Sequence, residues 1–212
     1  MIVKPLELNK IKNNLKFFLF YGKNEGLKNQ HIKKLLEKSN NNNVVKYDEK
    51  EILENKDSFF ESILSNSLFD NEKNIIINRS TDKIHEIIID LMERNINDVT
   101  IIINASVLEK KSKLRKLFEK EKNLACIATY PDTDEILSNL AQDFFKKIKI
   151  SISQQNINLI VSKCGGDRLN LKNELEKIKI YVKGKKNISK EEISKLINLS
   201  ENHTFYELID NC

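Results

Sequence analysis

Short apolar segments alternate with segments of helical periodicity along the first two thirds of the chain. The apolar segments are FFLFY (17–21), VVKYD (44–48), NIIIN (74–78), VTIIIN (99–104) and LACIATY (124–130). The central ones show no apolar and polar alternation, which is typical of strands covered on both faces. Three- and four-residue apolar spacing predicts helices over 27–38, about 57–68, about 82–93 and about 110–120. Strands and helices in alternation predict a parallel α/β sheet.

The strand pattern disappears after about residue 150, and only helical patterns follow. They predict helices over 151–164 and 169–184, and a third helix that opens with a capping box of Ser189 and Glu192. We therefore expect two domains, an α/β domain over 1–140 and a small helical domain over 141–212. A parallel sheet domain followed by a small helical domain is the layout of a P-loop-type ATPase with a lid.

Composition and charge narrow the class of protein. The 212 residues are 40% hydrophobic and 32% charged, which allows a real core and a charged surface. No apolar run approaches the roughly 18 residues that a membrane span needs, and the charged start does not resemble a signal peptide. Three scattered cysteines without a CxxC motif predict a reduced, cytoplasmic protein.

The net charge of +5 gives only a mild indication of a nucleic-acid partner. Residues 1–140 hold 23 basic and 22 acidic residues, whereas 141–212 hold 13 and 9. The C-terminal excess is compatible with a phosphate backbone nearby. Lysine is abundant along the whole chain, however, so a solvated face is the simpler interpretation. The basic helix around 110–120 faces DNA, a neighbouring subunit or solvent, and these alternatives stay open.

The loop after the first strand lacks the features that bind nucleoside triphosphates. Such a loop reads GxxxxGK[ST], in which backbone N–H groups and the lysine hold the phosphates and the hydroxyl holds magnesium. Here the segment is GKNEGLK, with Gly22 and Gly26 too close together and no Ser or Thr after Lys28. Glu25 puts a negative charge where phosphate would lie. We predict a degenerate loop that does not bind ATP, with Lys28 on the surface of the following helix.

No other catalytic or metal-binding pattern is present. The central strands end in Asn78 and Asn104, which are poor substitutes for the acidic pair that holds magnesium, and Asp48 and Glu49 are interpreted as loop residues. The three histidines lie far apart without metal-ligand spacing, and Cys164 has no evident histidine partner. The sequence therefore predicts no catalytic residue, no metal and no cofactor.

Four segments in order give the chain a resemblance to a known family. FFLFYGKNEGLK, SLFDNEKNIII, KKSKLRKLFEK with LACIATYPD, and GGDRLNLKNELEKIKIYV together resemble the delta subunit of the bacterial DNA polymerase III clamp loader. The resemblance implies an AAA+-like first domain with a degenerate nucleotide site, then a small helical domain. A third, collar-forming domain would begin near NHTFYELIDNC, so we expect either a two-domain piece without the collar or an unusually short member, monomeric in solution.

The resemblance also implies a function and a site. A delta subunit binds the sliding clamp and opens its ring during DNA replication, without hydrolysing ATP itself. Its partners are the clamp, the other clamp-loader subunits and, within the assembled loader, primer-template DNA. The family's clamp-binding Leu-Phe pair matches Leu68 and Phe69. A divergent P-loop ATPase and a DNA-binding module remain alternatives.

Periodicity alone allows a different role for the Leu-Phe pair. Leu68 extends the apolar face of Phe60 and Leu64, so a core position is the natural interpretation from spacing. Phe69 lies one position off that face, immediately before the polar residues DNEK. With the resemblance, partner binding becomes the favoured role.

Overall fold

The computed structural model describes residues 15–38, 43–64, 73–94, 96, 98–185 and 187–198. The chain divides into two compact units, Met1–Tyr130 and Pro131–Cys212. The division falls ten residues before the expected domain boundary at 140. Position 140 lies within a helix, Asp134–Lys147, whose buried side chains belong to the core of the second unit.

A five-stranded sheet forms the centre of the first unit. Its strands are β1 Phe17–Tyr21, β2 Val44–Asp48, β3 Lys73–Ser80, β4 Val99–Ala105 and β5 Leu124–Ala128. Their order in the sheet is β2-β3-β4-β1-β5, and every pairing is parallel. The predicted parallel α/β sheet is therefore confirmed, with all five strands where the apolar segments indicated.

Both faces of the sheet are covered, which explains the continuous apolar strands. In β1, Phe17 and Leu19 belong to one core cluster, while Phe18 and Phe20 belong to another on the opposite face. All five β1 residues are buried, because successive side chains of a strand point to opposite faces. A strand with only one covered face would have needed polar residues at every second position.

The helices of the first unit differ from prediction mainly in where they begin and end. They are α1 Glu25–Lys38, α2 Glu49–Glu54, α3 Lys56–Leu64, α4 His85–Glu93 and α5 Lys113–Lys120. The prediction missed α2. It also placed the start of α4 at about 82, where Asp82–Ile84 form a 3₁₀ turn. The helix predicted over about 57–68 corresponds to α3, and its expected end at 68 lies outside the described residues.

The described residues of the second unit form four helices. They are α6 Asp134–Lys147, α7 Gln154–Ser162, α8 Arg168–Tyr181 and α9 Lys190–Asn198. One apolar cluster joins them, with Phe145, Ile160 and Ile178 almost completely buried. Gly166 and Gly184, which follow α7 and α8, both have positive φ, as the predicted helix ends require.

The capping box predicted at α9 is present. Ser189 Oγ accepts from the backbone N–H of Glu192 at 3.2 Å, and the backbone N–H of Ser189 donates to Glu192 Oε2 at 2.8 Å. Lys185 Nζ lies 2.5 Å from Glu192 Oε1, and Tyr181 Oη lies 3.0 Å from it. The box and these two side chains together hold the start of α9.

These contacts predict an unusually acidic Glu192. The Lys185 ammonium, the Ser189 N–H and the Tyr181 hydroxyl lower the pKa of Glu192 to about 2, from an ordinary 4.5. Since the folded-state pKa is the lower one, ionised Glu192 stabilises α9 above about pH 4.5, and this contribution is lost as the pH falls towards 2. We expect an NMR titration of the Glu192 side-chain carboxyl carbon to have its midpoint near 2; a midpoint near 4.5 would contradict the contacts.

Candidate functional site

A polar cleft of about 460 Å³ opens at the carboxyl ends of the central strands. In open parallel sheets, ligands bind at this edge, where the loops that follow the strands converge. Its lining is Glu25, Lys28, Asp48, Asn78, Arg79, Asn104, Ala105 and Ser106. The cleft brings together residues that the sequence analysis had treated separately, from the ends of β2, β3 and β4 and from the start of α1.

The loop between β1 and α1 is shaped by packing against the end of β5. Gly22 has φ +134°, and a Cβ there would lie 2.2 Å from the carbonyl oxygen of Thr129, so only glycine fits. Asn24 Oδ1 accepts from Leu27 N at 3.0 Å and begins α1, while Asn24 Nδ2 donates to Tyr130 O at 3.2 Å. Gly22 therefore serves the close approach of two backbone segments within the first unit.

Gly26 and Lys28 are not part of the loop. Helix α1 begins at Glu25, so both residues lie in its first turn. Of the three residues predicted to form a degenerate phosphate loop, only Gly22 is a loop residue.

The expectation that Lys28 lies on the helix surface is wrong. Its side chain is only 1% exposed, and its ammonium lies 2.6 Å from Glu25 Oε1 and 2.6 Å from the carbonyl oxygen of Ala105. Ala105 is the last residue of β4, so Lys28 ties α1 to the carboxyl end of the sheet. Burial of an ammonium requires such partners, because desolvation of an unpaired charge is costly.

The spacing of Lys28 from Gly22 was a signal in the sequence that Lys28 corresponds to a phosphate-binding lysine. In GxxxxGK[ST] the lysine follows the first glycine by six residues, and Lys28 follows Gly22 by the same six. Leu27 then occupies the place of the second glycine, and Asn29 that of the hydroxyl. Counting from glycine to glycine instead of from glycine to lysine hid this correspondence.

Glu25 occupies the position that an anionic ligand would take. As the first residue of α1, it places a carboxylate at the positive end of the helix dipole, the part of a helix that binds phosphate groups in other proteins. Its side chain is 42% exposed, so it lies between the buried ammonium and the solvent. Phosphate could reach Lys28 only by displacing this carboxylate.

The ends of β3 and β4 carry amides where magnesium-dependent NTPases carry acids. Asn104 Nδ2 donates to Asn78 Oδ1 at 3.1 Å, so the two side chains are hydrogen-bonded to each other. Arg79 has a positive φ of 55° beside an irregularity in the β3–β4 pairing, and its Nε donates to Asp48 Oδ1 at 3.2 Å. This ion pair accounts for the two remaining charges of the cleft, and it raises the pKa of Arg79.

The interpretation of Asp48 and Glu49 as loop residues is also wrong. Asp48 is the last residue of β2 and Glu49 the first of α2. The buried Glu49 carboxylate accepts from the backbone N–H of Thr81 at 2.7 Å and from its hydroxyl at 2.8 Å. Both carboxylates are thus engaged by the protein itself.

The described residues contain no metal-binding cluster and no activated thiol. No group of three or more His, Cys, Asp or Glu side chains is arranged to hold a metal among them. Burial raises the pKa of Cys126 to about 12 and that of Cys164 to about 11, so both thiols are protonated at neutral pH. No helix in the part of the chain that the structure describes is long and apolar enough to cross a membrane.

The Leu-Phe pair lies outside the described residues. Helix α3 is described as far as Leu64, with Phe59 and Ile63 buried in the core of the first unit. Leu68 and Phe69 follow in the segment 65–72, so their role stays a prediction.

Comparison with known proteins finds similarity of fold to solved structures. No protein-family model and no curated protein matches the sequence. Among solved structures, the DNA clamp loader delta protein of Bacillus subtilis superposes with a TM-score of 0.50 at 12% identity, covering 90% of this chain and 60% of that one. The RuvB Holliday junction branch migration motor of Thermotoga maritima superposes with a TM-score of 0.60 at 11% identity, covering 92% of this chain and 64% of that one.

A third structure is covered over most of its length. Domain III of the Thermotoga maritima replication initiation protein DnaA gives a TM-score of 0.56 at 13% identity, with 92% of this chain and 88% of that one covered. The chain spans less than two thirds of the clamp loader and RuvB chains. At such identities the similarity concerns the fold alone, and it confirms the expected class: this chain has an AAA+-like α/β fold built on a five-stranded parallel sheet.

Proposed function

We propose that this chain acts as a clamp-loader delta-type protein, which binds a sliding clamp and opens its ring without using ATP. The clamp loader delta protein of B. subtilis is among the structures that share its fold. The ordered set of four segments described above resembles the same family. Other clamp-loader subunits and primer-template DNA are the further partners that this proposal implies, in the cytoplasm.

The observation that carries the proposal is the internal neutralisation of Lys28. The ammonium at the spacing of a phosphate-binding lysine already contacts Glu25 Oε1 and Ala105 O at 2.6 Å each. With Asn78 and Asn104 bonded to each other, the cleft offers no carboxylate pair at the ends of β3 and β4 for a magnesium ion. These contacts favour a subunit that lacks nucleotide chemistry over a divergent P-loop ATPase.

Leu68 and Phe69 are the proposed anchor on the clamp. A leucine and a phenylalanine that fill a preformed apolar pocket are typical of interface hot spots. Opening a closed ring requires only that the bound surface fits the open clamp better than the closed one, because this difference in affinity shifts the equilibrium between them. No hydrolysis by this subunit is needed.

Clamp binding is expected to be independent of ATP. Surface-plasmon measurements of this chain on its immobilised sliding clamp should give the same dissociation constant with and without Mg-ATP. A labelled ATP analogue should show no saturable binding in the micromolar range. Failure to bind the clamp would contradict the proposal, whereas micromolar ATP binding would restore the ATPase alternative. Light scattering of the same sample should show a monomer.

A further inference from the structure

The outer face of α5 carries a row of lysines, here called the lysine stripe and formed by Lys113, Lys116 and Lys120. Their spacing of three and four residues places them on one side of the helix. The opposite side is buried through Leu114 and Phe118, while all three lysines are exposed. The stripe therefore forms a continuous cationic surface on the first unit.

Positive charge is concentrated in this segment beyond what the composition explains. Residues 109–123 contain seven basic and three acidic residues, a net charge of +4. Residues 1–140 as a whole sum to only +1, so the remainder of that region is net negative by three. A general preference for lysine would have spread the excess along the chain.

Several lysines on other helices each form an ion pair with an acid one turn away. Such pairs are Lys33–Glu37, Lys50–Glu54, Lys146–Asp143, Lys177–Glu174 and Lys179–Glu176.

On α5 the corresponding acid is already used. Arg115 Nε lies 2.7 Å from Glu119 Oε1, and the pair is largely buried, with 16% and 29% of the side chains exposed. Glu119 is the carboxylate one turn from Lys116, so Arg115 removes it from the stripe. In the part of the chain that the structure describes, none of the three ammonium groups of the stripe forms an ion pair or a hydrogen bond.

The dimensions of the stripe match a nucleic-acid backbone. The seven residue steps from Lys113 to Lys120 span about 10 Å at 1.5 Å per step. One DNA strand presents a phosphate about every 3.4 Å along the axis, so about three phosphates face this length. The stripe carries no aromatic side chain on which unstacked bases could lie and no Arg, Asn or Gln that could read base edges.

We propose that Lys113, Lys116 and Lys120 bind the phosphate backbone of duplex DNA without reading its sequence. The proposal rests on the charge and geometry of α5 and does not depend on clamp binding. An acidic protein surface is the competing partner, and the experiment separates the two.

The test is the salt dependence of binding to a fluorescein-labelled 20-base-pair duplex, followed by anisotropy. Each neutralised phosphate adds about 0.9 to the slope of log affinity against log salt, so the variant K113Q/K116Q/K120Q should lose about 2.7 from that slope. Between 50 and 200 mM salt, the affinity of the parent should consequently fall about 40-fold more than that of the variant. A second duplex of unrelated sequence should bind equally well.

A variant with the same change in net charge is the control. K172Q/K179Q/K183Q removes three exposed lysines from the second unit and should keep the slope of the parent. Equal slopes for both variants, no duplex binding by the parent at 50 mM salt, or strong preference for one duplex would overturn the proposal. So would a stripe variant that keeps its duplex affinity but loses binding to the clamp. Circular dichroism should show both variants folded, since all six side chains are exposed.

Discussion

Replacing Leu68 and Phe69 together with alanine is expected to weaken binding to the sliding clamp by a factor on the order of a hundred or more. Burying each side chain in a preformed pocket contributes roughly 1.5–3 kcal/mol. Because 1.4 kcal/mol corresponds to a tenfold change in the dissociation constant, losing both contributions gives at least that effect. The measurement is surface-plasmon binding of the parent and the variant to the same immobilised clamp.

The control must separate a contact with the clamp from a position in the core. Thermal unfolding of the double variant should match that of the parent, since a core role would lower its melting temperature instead. Val107→Ala, which shortens an exposed apolar side chain of the same unit, should leave clamp affinity unchanged. A folded double variant that binds as tightly as the parent would remove Leu68 and Phe69 from the proposed site.

The second large effect is expected from Asp132→Ala in the second unit. Arg168 donates to this carboxylate through Nε at 2.7 Å and through Nη2 at 2.9 Å. The Asp132 side chain is 6% exposed and that of Arg168 is 21% exposed. Breaking a buried pair by removing one partner costs 3–5 kcal/mol, because the other charge is left desolvated. With a fifth of Arg168 still exposed, we expect about 3 kcal/mol, a change of about 150-fold in the unfolding equilibrium.

The pair is held by the glycine turn that precedes α8. The backbone N–H of Asp132 donates to the carbonyl of Gly166 at 2.8 Å, and a Cβ at Gly166 would lie 2.5 Å from Pro131 Cβ. Hydrogen bonds of Asp132 to Gly166 and Arg168 thus connect the segment before α6 to the start of α8. Loss of the carboxylate should weaken this connection within the second unit and leave the stability of the first unit unaffected.

Modification of the Cys164 thiol reports on this unit alone. Cys164 is completely buried, with Sγ donating to Ile160 O at 3.2 Å, so it reacts only when the second unit opens. In a C126S/C212S background, Asp132→Ala should accelerate modification about 150-fold. Asp143→Ala, which breaks an exposed pair with an N–O distance of 3.9 Å, should change stability by about 0.5 kcal/mol or less. Equal rates for both variants would show that the Asp132 pair is not stabilising.

The elements that were predicted most accurately are those in which almost every residue supports the same assignment. β1, β4 and β5 are apolar at almost every residue, and each lies within two residues of its predicted range. The capping box of Ser189 and Glu192 was equally local, since its two hydrogen bonds lie within one helical turn. By contrast, α2 has only six residues and too few apolar positions to show a period, so its helical character was missed.

The cleft was harder to predict because its contacts join distant parts of the chain. The pattern GKNEGLK showed that the phosphate loop is incomplete, but it did not show that the Lys28 ammonium reaches Ala105, 77 residues away. The pairing of Asn104 with Asn78 likewise depends on the adjacency of β3 and β4 in the sheet. Spacing along a helix places Lys28 on a face, and only the neighbouring strand determines that this face is buried.

The sequence by itself determined the strand–helix alternation, the helical character of the second unit and the absence of a complete phosphate-binding motif. These properties depend on residue type, on periodicity and on spacing within a few positions. Only the tertiary structure decided the order β2-β3-β4-β1-β5, the division at residue 130 and the neutralisation of Lys28 by Glu25 and Ala105. These properties depend on which segments become neighbours in the fold. Buried polar groups then bond to the partners that the neighbouring segments supply, because leaving a buried polar group unpaired costs more free energy than any local conformational preference.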